Sequence, residues 1–365
     1  MTAAASIPVT VLTGFLGAGK TTLLNRMLRA PELADALVIV NEWGEIGLDH
    51  LLIERVEGDV ILLSSGCLCC SLRGDLVDTL RDLARRRAER RIAPFDRVVI
   101  ETSGLADPMP ILHALTADGA LASRYRFAGL VTVVDAVNGL ATLRDSDESA
   151  RQAALADRLA IAKSDLLDER ARASAMADLR ARLSALNPAA PMLDVAAGEF
   201  SAADLIAIDP AGGFGAAPDL RVAHTGEPGV DARHSSERHR AAIRAYDLRL
   251  REPVAPQDFA LFLELLRAAL GPKLLRLKGL IGLAAHPDSP LVVHAVQHVL
   301  HPPRRLSAWP GGDRATRMVI IVDGMDRLAI DRLWAALAGE PAVDAPDLAA
   351  LTLSPLSPTR GGLLD

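Results

Sequence analysis

Short β-branched runs and longer amphipathic stretches alternate through the first half of the chain. Apolar runs predict strands at residues 7–13, 36–40, 60–63, 97–100, 129–134 and 158–161. Apolar positions at helical spacing predict helices at residues 21–29, 74–87 and 169–186. Strands that alternate with helices are typical of an α/β fold with a doubly wound, mostly parallel sheet.

The pattern changes near residue 209, where a stretch rich in glycine and proline indicates a linker. Beyond it, strands are predicted at residues 243–250, 274–283, 291–298 and 317–322, and helices at 256–270 and 330–337. We therefore expect an α/β domain over residues 1–208, a linker over 209–240 and a second, smaller α+β domain over 241–365.

Composition fits two globular domains and excludes several kinds of partner. The chain has 365 residues with 40 Lys and Arg against 46 Asp and Glu, a net charge of −6. No basic stripe accompanies aromatic residues, so we expect no nucleic acid partner. The first residues lack the pattern of a signal peptide, and no apolar run approaches the roughly 18 residues of a spanning helix. We therefore expect no membrane partner.

A glycine-rich loop follows the first predicted strand and opens the first predicted helix. Residues 14–21, GFLGAGKT, match G-x-x-x-x-G-K-[ST] in the context that this motif requires. Backbone N–H groups of the loop, which includes Gly14 and Ala18, would face phosphate oxygens at the positive end of the helix. Lys20 would reach the β- and γ-phosphates, and the Thr21 hydroxyl would bind Mg²⁺. The first domain is thus predicted to be a P-loop domain that binds a nucleoside triphosphate.

An acidic residue ends a neighbouring predicted strand. Glu101 follows the strand at residues 97–100, and carboxyl ends of parallel strands meet at one edge of a sheet. Glu101 would therefore lie beside the phosphate loop and hold the hydrated Mg²⁺. Gly104, three residues later, would let the chain approach the γ-phosphate closely.

The choice of base depends on Ala162-Lys163-Ser164-Asp165, after the last predicted strand of this domain. Guanine-binding proteins resemble one another in an N-K-x-D tetrapeptide, in which Asp accepts hydrogen bonds from guanine and the Lys stem packs over the ring. Lys163 and Asp165 fit this pattern, but Ala162 replaces Asn and removes a hydrogen bond worth roughly 0.5–1.5 kcal/mol. We expect GTP rather than ATP, because Asp165 discriminates between the two bases chemically.

All three cysteines of the chain lie in one pentapeptide, Gly66-Cys67-Leu68-Cys69-Cys70. Such crowding is not a disulfide framework, because neighbouring cysteines close only strained rings. Thiolates at this spacing suit a transition metal, and three of them leave one tetrahedral position open. An open position suits transfer of the metal more than a permanent structural site. Reduced thiols beside a nucleotide site indicate the cytoplasm.

The chain resembles the CobW-type family of metal-linked P-loop GTPases. The matching segments are residues 13–22, 41–47, 66–70, 101–104, 277–279 and 296–303. The resemblance implies GTP hydrolysis linked to delivery of a metal, most often zinc and in some members cobalt. It assigns the nucleotide to Gly17, Gly19, Lys20, Thr21 and Thr22. It further assigns the metal to Cys67, Cys69 and Cys70, and a response to nucleotide to residues 41–47.

Several assignments stay open at this point. Glu42 and Glu45 are candidates for a fourth, weaker metal ligand or for orienting the hydrolytic water, and plain surface carboxylates are the equal alternative. His294, His298 and His301 are expected to pack at a domain interface rather than to bind metal.

Three functions compete. The leading hypothesis is a GTP-dependent metallochaperone, with zinc as the favoured metal, that feeds an apo-metalloprotein client. A cobalt-handling GTPase of cobalamin biosynthesis and a zinc-stabilised, nucleotide-dependent scaffold are the alternatives, and a homo-oligomer is left open.

Overall fold

A computed structural model describes residues 6–43, 60–65, 71–197, 200–206, 243–297, 299–310, 313–325 and 327–339. The predicted linker and the three cysteines lie outside these residues. The domain boundaries at 208 and 240 therefore stay a prediction. Among the described residues, no helix combines the length and apolar character needed to cross a membrane.

The first domain is built on a seven-stranded sheet in the order β3-β2-β4-β1-β5-β6-β7. Every pairing in it is parallel. Its strands are β1 (Ile7–Gly14), β2 (Ala36–Trp43), β3 (Val60–Ser65), β4 (Arg97–Glu101), β5 (Tyr125–Asp135), β6 (Arg158–Ala162) and β7 (Met192–Asp194).

Helices cover both faces of this sheet. They are α1 (Lys20–Leu28), α2 (Ser71–Ala88), α3 (Met109–Ala117), α4 (Gly119–Ala122), α5 (Gly139–Asp145), α6 (Asp147–Leu155), α7 (Arg172–Leu186) and α8 (Ala202–Ile206). Successive residues of β4 enter different cores, because side chains alternate across a strand. Val98 and Ile100 pack in the core that includes residues of α2 and α3, whereas Val99 packs in the core that includes residues of α1. The predicted doubly wound fold is confirmed.

The second domain is an antiparallel sheet with two helices on one face. Its elements are β8 (Ile243–Leu250), α9 (Pro256–Leu270), β9 (Leu274–Ile281), β10 (Leu291–Val296), β11 (Val299–Leu300), β12 (Arg304–Arg305), β13 (Thr316–Asp323) and α10 (Arg327–Leu337). The strands run in the order β11-β10-β9-β13-β8, and β12 also pairs with β10. Phe262 of α9 and Ile330 of α10 pack on Leu277 of β9 in one core. The predicted α+β class is confirmed.

The other face of the second sheet packs on the first domain. Leu275 of β9 and Ile321 of β13 belong to the same buried cluster as Leu130 of β5 and Leu155 of α6. One continuous apolar core thus crosses from the parallel sheet to the antiparallel one.

Two strands of the second domain end two residues earlier than predicted. The strand predicted over residues 291–298 ends at Val296, because Gln297 has a positive φ of 49°, which leaves the extended region. The strand predicted over 274–283 ends at Ile281. The next residues, Gly282 and Ala284, hydrogen-bond with the backbone of Val254 instead.

Candidate nucleotide site

The phosphate loop joins β1 to α1 and is held against β5. Gly14 has a φ of 145°, and a Cβ atom there would lie 2.4 Å from the carbonyl oxygen of Val133, so only glycine fits. Lys20 begins α1, and its Nζ donates hydrogen bonds to the carbonyls of Gly14 (2.9 Å) and Phe15 (3.2 Å). An ammonium group, a loop backbone and a helix N-terminus together favour an anion.

The two residues predicted to hold Mg²⁺ lie in direct contact. The Thr21 hydroxyl donates a 2.8 Å hydrogen bond to Oε1 of Glu101. Glu101 is only 4% exposed and lies at the end of β4, beside Leu12 of β1. The adjacent Thr102 donates from its hydroxyl to that of Thr13 at 2.8 Å, which ties the two strands together at this edge. A hydroxyl and a buried carboxylate are hard oxygen donors of the kind that Mg²⁺ prefers, so these residues fit the ion.

The chain after Glu101 rests on the phosphate loop. A Cβ atom on Gly104 would lie 2.6 Å from the backbone nitrogen of Leu16 and 2.7 Å from its Cα, so Gly104 allows this approach. From the other side, Nε2 of Gln152 in α6 donates to the carbonyls of Gly104 and Ala106, both at 3.1 Å. The loop from Gly104 to Ala106 is therefore held between the phosphate loop and α6.

The segment predicted to select the base also supports the phosphate loop. Nζ of Lys163 donates to the carbonyl of Gly17 at 2.6 Å and forms an ion pair with Asp135 at 2.9 Å. Burial alone would raise the pKa of Asp135, but hydrogen bonds from Lys163 and Asn138 lower it below its usual value. Asp165 is exposed and follows directly after this anchor.

Ala162 lies close to the phosphate loop. It is buried, and a Cβ atom on Gly19 would lie only 3.6 Å from the Cβ of Ala162. Ala162 also packs in the same core as Ala18 of the loop. The residue that departs from the guanine-binding pattern is therefore a small apolar contact of the phosphate loop.

Three residues of the site were missed from the sequence. Asp135 ends β5 as Glu101 ends β4, so the same strand-end reasoning would have found it. Asp194 ends β7 and accepts a 2.7 Å hydrogen bond from the hydroxyl of Ser164, next to the base segment. Gln152 left no local sign, because its role arises from packing of α6 on the loop. Gln152, Asp135 and Lys163 also line a cavity of about 300 Å³ beside the phosphate loop.

The predicted thiolate ligands fall outside the part of the chain that the structure describes. Cys67, Cys69, Cys70 and Glu45 lie outside the described residues, and only the backbone of Glu42 is described, within β2. β3 ends at Ser65, and it pairs in parallel with β2, which neighbours β4. The described part of the chain contains no group of three or more His, Cys, Asp or Glu side chains that could hold a metal.

Two of the three histidines singled out from the sequence meet near the domain interface. The rings of His294 and His301 stack at a centroid distance of 4.0 Å, and His301 also lies 6.2 Å from the ring of Phe127 of the first domain. Burial first, and then His301 and Arg276, lower the pKa of His294 to about 3. This arrangement agrees with the packing role expected for His294 and His301; His298 lies outside the described residues.

Comparison with known proteins agrees with this geometry across both domains. Residues 8–194 match the nucleotide-binding domain described as CobW/HypB/UreG, and residues 243–338 match the cobalamin synthesis protein cobW C-terminal domain. The chain is 32% identical to the zinc chaperone YjiA of Escherichia coli K12 over 91% of this chain and 98% of that protein.

Two further comparisons cover parts or all of the fold. The chain is 38% identical to zinc-regulated GTPase metalloprotein activator 1 of Schizosaccharomyces pombe over 45% of this chain and 41% of that protein. The crystal structure of the Zn(II)-bound YjiA GTPase from E. coli superposes with a TM-score of 0.66 at 27% identity, covering 93% of this chain and all of that one. The predicted resemblance and the predicted enzyme class are thereby confirmed, and the chain belongs to the CobW/HypB/UreG family of P-loop GTPases.

Proposed function

We propose that this protein is a GTP-dependent metallochaperone. Its cargo is a divalent transition metal, zinc in preference to cobalt, carried on the thiolates of Cys67, Cys69 and Cys70 and passed to an apo-metalloprotein client in the cytoplasm. The observation that carries the nucleotide part of this proposal is the contact of Thr21 with Glu101 beside the phosphate loop. The names of the relatives, zinc chaperone and zinc-regulated GTPase metalloprotein activator, support zinc as the cargo.

The roles of the nucleotide-binding residues follow from their contacts. Lys20 exchanges the two loop carbonyls for β- and γ-phosphate oxygens when GTP binds, and so offsets charge that develops during hydrolysis. Thr21 and Glu101 would hold Mg²⁺, which neutralises the phosphate oxygens when bound. Lys163 keeps the phosphate loop and the base segment in a fixed relation, so that Asp165 meets guanine.

Sheet topology supports a link between nucleotide and metal. β1, β4, β2 and β3 are consecutive neighbours, all parallel, so their carboxyl ends share one edge. In the sequence, β1 is followed by the phosphate loop, β2 by residues 44–49, and β3 by the pentapeptide 66–70 that contains the three cysteines. Residues that respond to the γ-phosphate would therefore lie along the same edge as the thiolates.

The test is a competition titration of Zn²⁺ against a chromophoric chelator, with the protein in Mg²⁺ and either GDP or a non-hydrolysable GTP analogue. We expect tighter zinc binding with the GTP analogue, by about 5- to 150-fold, which is the usual range of coupling between sites. Lys20→Ala should keep zinc affinity and lose its dependence on nucleotide. Zinc dissociation constants within about twofold of each other in both states would instead favour a scaffold.

Cobalt substitution tests the ligands separately. The Co²⁺ protein should show intense sulfur-to-metal absorption, and Cys69→Ser should weaken it. A spectrum of oxygen and nitrogen ligation alone would rule out the thiolate site.

Calorimetry with GTP and ATP tests the preference for guanine over adenine. Affinity for ATP equal to that for GTP would overturn the role of Asp165.

A further inference from the structure

Helix α6 lies between the nucleotide site and the second domain. On one side it packs against β1 and β5 of the parallel sheet, and on the other against β8 and β9 of the antiparallel sheet. Nine residues long, it is capped at its start by the Ser146 hydroxyl, which accepts from the backbone nitrogen of Ser149 at 3.1 Å. This helix therefore contacts elements of both domains.

Gln152 connects α6 to the loop after Glu101. Its side chain is 2% exposed, and its Nε2 donates both of its hydrogen bonds to the carbonyls of Gly104 and Ala106. The backbone carbonyl of Gln152 in turn accepts a 2.8 Å hydrogen bond from Thr132 of β5. Gly104 lies against Leu16 of the phosphate loop, so a shift of the Gly104–Ala106 loop would move both acceptors of Gln152.

The far end of α6 is fastened to the second domain. Arg276 of β9 donates to the carbonyl of Leu155, the last residue of α6, and forms an ion pair with Asp157. Lys278 of the same strand lies 3.3 Å from Asp157. Asp157 also accepts a 3.0 Å hydrogen bond from the backbone nitrogen of Leu130 in β5. A cation at the C-terminus of a helix is also favoured by the helix dipole.

Two further residues hold the end and the middle of α6. Nδ2 of Asn187 donates to the carbonyls of Ala153, Ala154 and Ala156 at 2.9 to 3.0 Å. Arg151, next to Gln152 in sequence, forms a 2.6 Å ion pair with Asp323 at the end of β13. Gln152 and Leu155 are three residues apart, about one helical turn. Contacts of α6 thus reach β9 and β13 within one helical turn of Gln152.

We propose that Gln152 is a positioning residue for GTP hydrolysis and that α6 transmits the state of the Gly104 loop to the second domain. The inference rests on the proposed function, because it requires GTP at the phosphate loop. A shift of the Gly104–Ala106 loop on GTP binding would carry Gln152 with it through these two hydrogen bonds, and α6 would in turn change how β9 packs on the first domain. By reciprocity, whatever binds and shifts the second domain changes nucleotide affinity by the same factor.

The experiment is hydrogen exchange on the full chain in Mg²⁺, with GDP or a non-hydrolysable GTP analogue, together with the rate of GTP hydrolysis. In the unaltered protein we expect amides of β9 to exchange about fivefold or more differently in the two states. Gln152→Met keeps the volume and removes both donors. It should abolish this difference and lower kcat about tenfold, with KM changed less. Thr132→Val removes a buried hydrogen bond to the same residue and should keep the nucleotide dependence of β9.

The outcomes separate this inference from the function on which it rests. Absence of GTP binding by calorimetry would defeat the proposed function and this inference with it. GTP binding and hydrolysis with equal exchange of β9 in both states would overturn the inference alone. That comparison needs no variant, so it holds even if Gln152→Met fails to fold. Persistence of the β9 difference in a folded Gln152→Met protein would also overturn it.

Discussion

The Thr21 hydroxyl donates a 2.8 Å hydrogen bond to Glu101, although 80 residues separate the two along the chain. The contact exists because β1 and β4 are parallel neighbours, with Leu12 opposite Glu101. It joins the first turn of α1 to the end of β4 at the point where the phosphate loop closes. A buried carboxylate held against the residue that follows the P-loop lysine is suited to a hydrated cation rather than to a structural role alone.

Glu101→Gln should weaken the action of Mg²⁺ on GTP. An amide keeps the shape of the side chain but carries no charge, so the ion loses its buried anionic partner. We expect the gain in GTP affinity on adding Mg²⁺, and kcat for hydrolysis, each to fall about 10- to 100-fold, the range seen when groups around a metal are altered. Calorimetry with and without Mg²⁺ measures the first effect. Glu148→Gln, an exposed acid in the first turn of α6, is the control, and equal behaviour of the two variants would contradict the assignment.

Gly104→Ala should impair GTP hydrolysis while leaving the overall fold intact. The added methyl would meet the backbone of Leu16 at 2.6 Å, and backbone cannot turn aside as a side chain can. The loop would have to move off the phosphate loop, so kcat should fall about tenfold or more, as expected for a small misplacement in an active site. Gly119→Ala is the matched control, because a Cβ atom there meets nothing within 4 Å. If both variants hydrolyse GTP at the unaltered rate, the close approach has no role in the reaction.

Asp157→Asn should destabilise the protein by about 3–5 kcal/mol, because it leaves two buried cations without their counter-charge. Asp157 is 5% exposed and Arg276 is 2% exposed. Burial alone would raise the pKa of Asp157, but Arg276 and Lys278 more than offset it and lower the pKa to about 2. Urea unfolding measures the change in the free energy of unfolding.

Asp288→Asn breaks the exposed ion pair with Arg314 and is the control for that experiment, since surface pairs contribute little. Equal stability of the two variants would show that the contacts of Asp157 with Arg276 and Lys278 do not hold the domains together.

The parts of this fold that could be predicted are those recorded locally in the chain. β-branched runs located six of the seven parallel strands, and the GKT sequence located Lys20 and Thr21 at the start of a helix. β7 was missed because three residues, Met192–Asp194, are too few to show a period. Its place depends on pairing with β6, which is a tertiary contact.

The remaining contacts of the site, and those between the two domains, join segments that are distant in the chain. Gln152 meets Gly104 across 48 residues, and Arg276 meets Asp157 across 119. Nothing in the sequence near any of these residues indicates its partner. Lys163 was assigned to the base from its tetrapeptide, yet its ammonium contacts Gly17 and Asp135, which only the packed sheet brings within reach.

The stacked pair of His294 and His301 makes the stability of this protein sensitive to mild acid. Burial, the neighbouring His301 and Arg276 lower the pKa of His294 to about 3, from 6.5 in an unfolded chain. The positive charge of Lys278 also lowers the pKa of His294, whereas the negative charge of Asp157 raises it. Burial lowers the pKa of His301 as well. Both rings are therefore neutral in the folded protein at neutral pH.

Between pH 6.5 and 3, His294 is therefore protonated in the unfolded chain and neutral in the folded protein. The free energy of unfolding should fall as pH falls through this window, by up to about 1.4 kcal/mol per pH unit for one proton. Asp157 adds to the loss only below its ordinary pKa of 3.8. Urea unfolding between pH 7 and 4 gives the slope. His294→Gln should reduce the slope to the part that His301 contributes, whereas His286→Gln, at an exposed histidine of the same domain, should leave it unchanged. A slope unaffected by His294→Gln would mean that other groups govern the acid sensitivity.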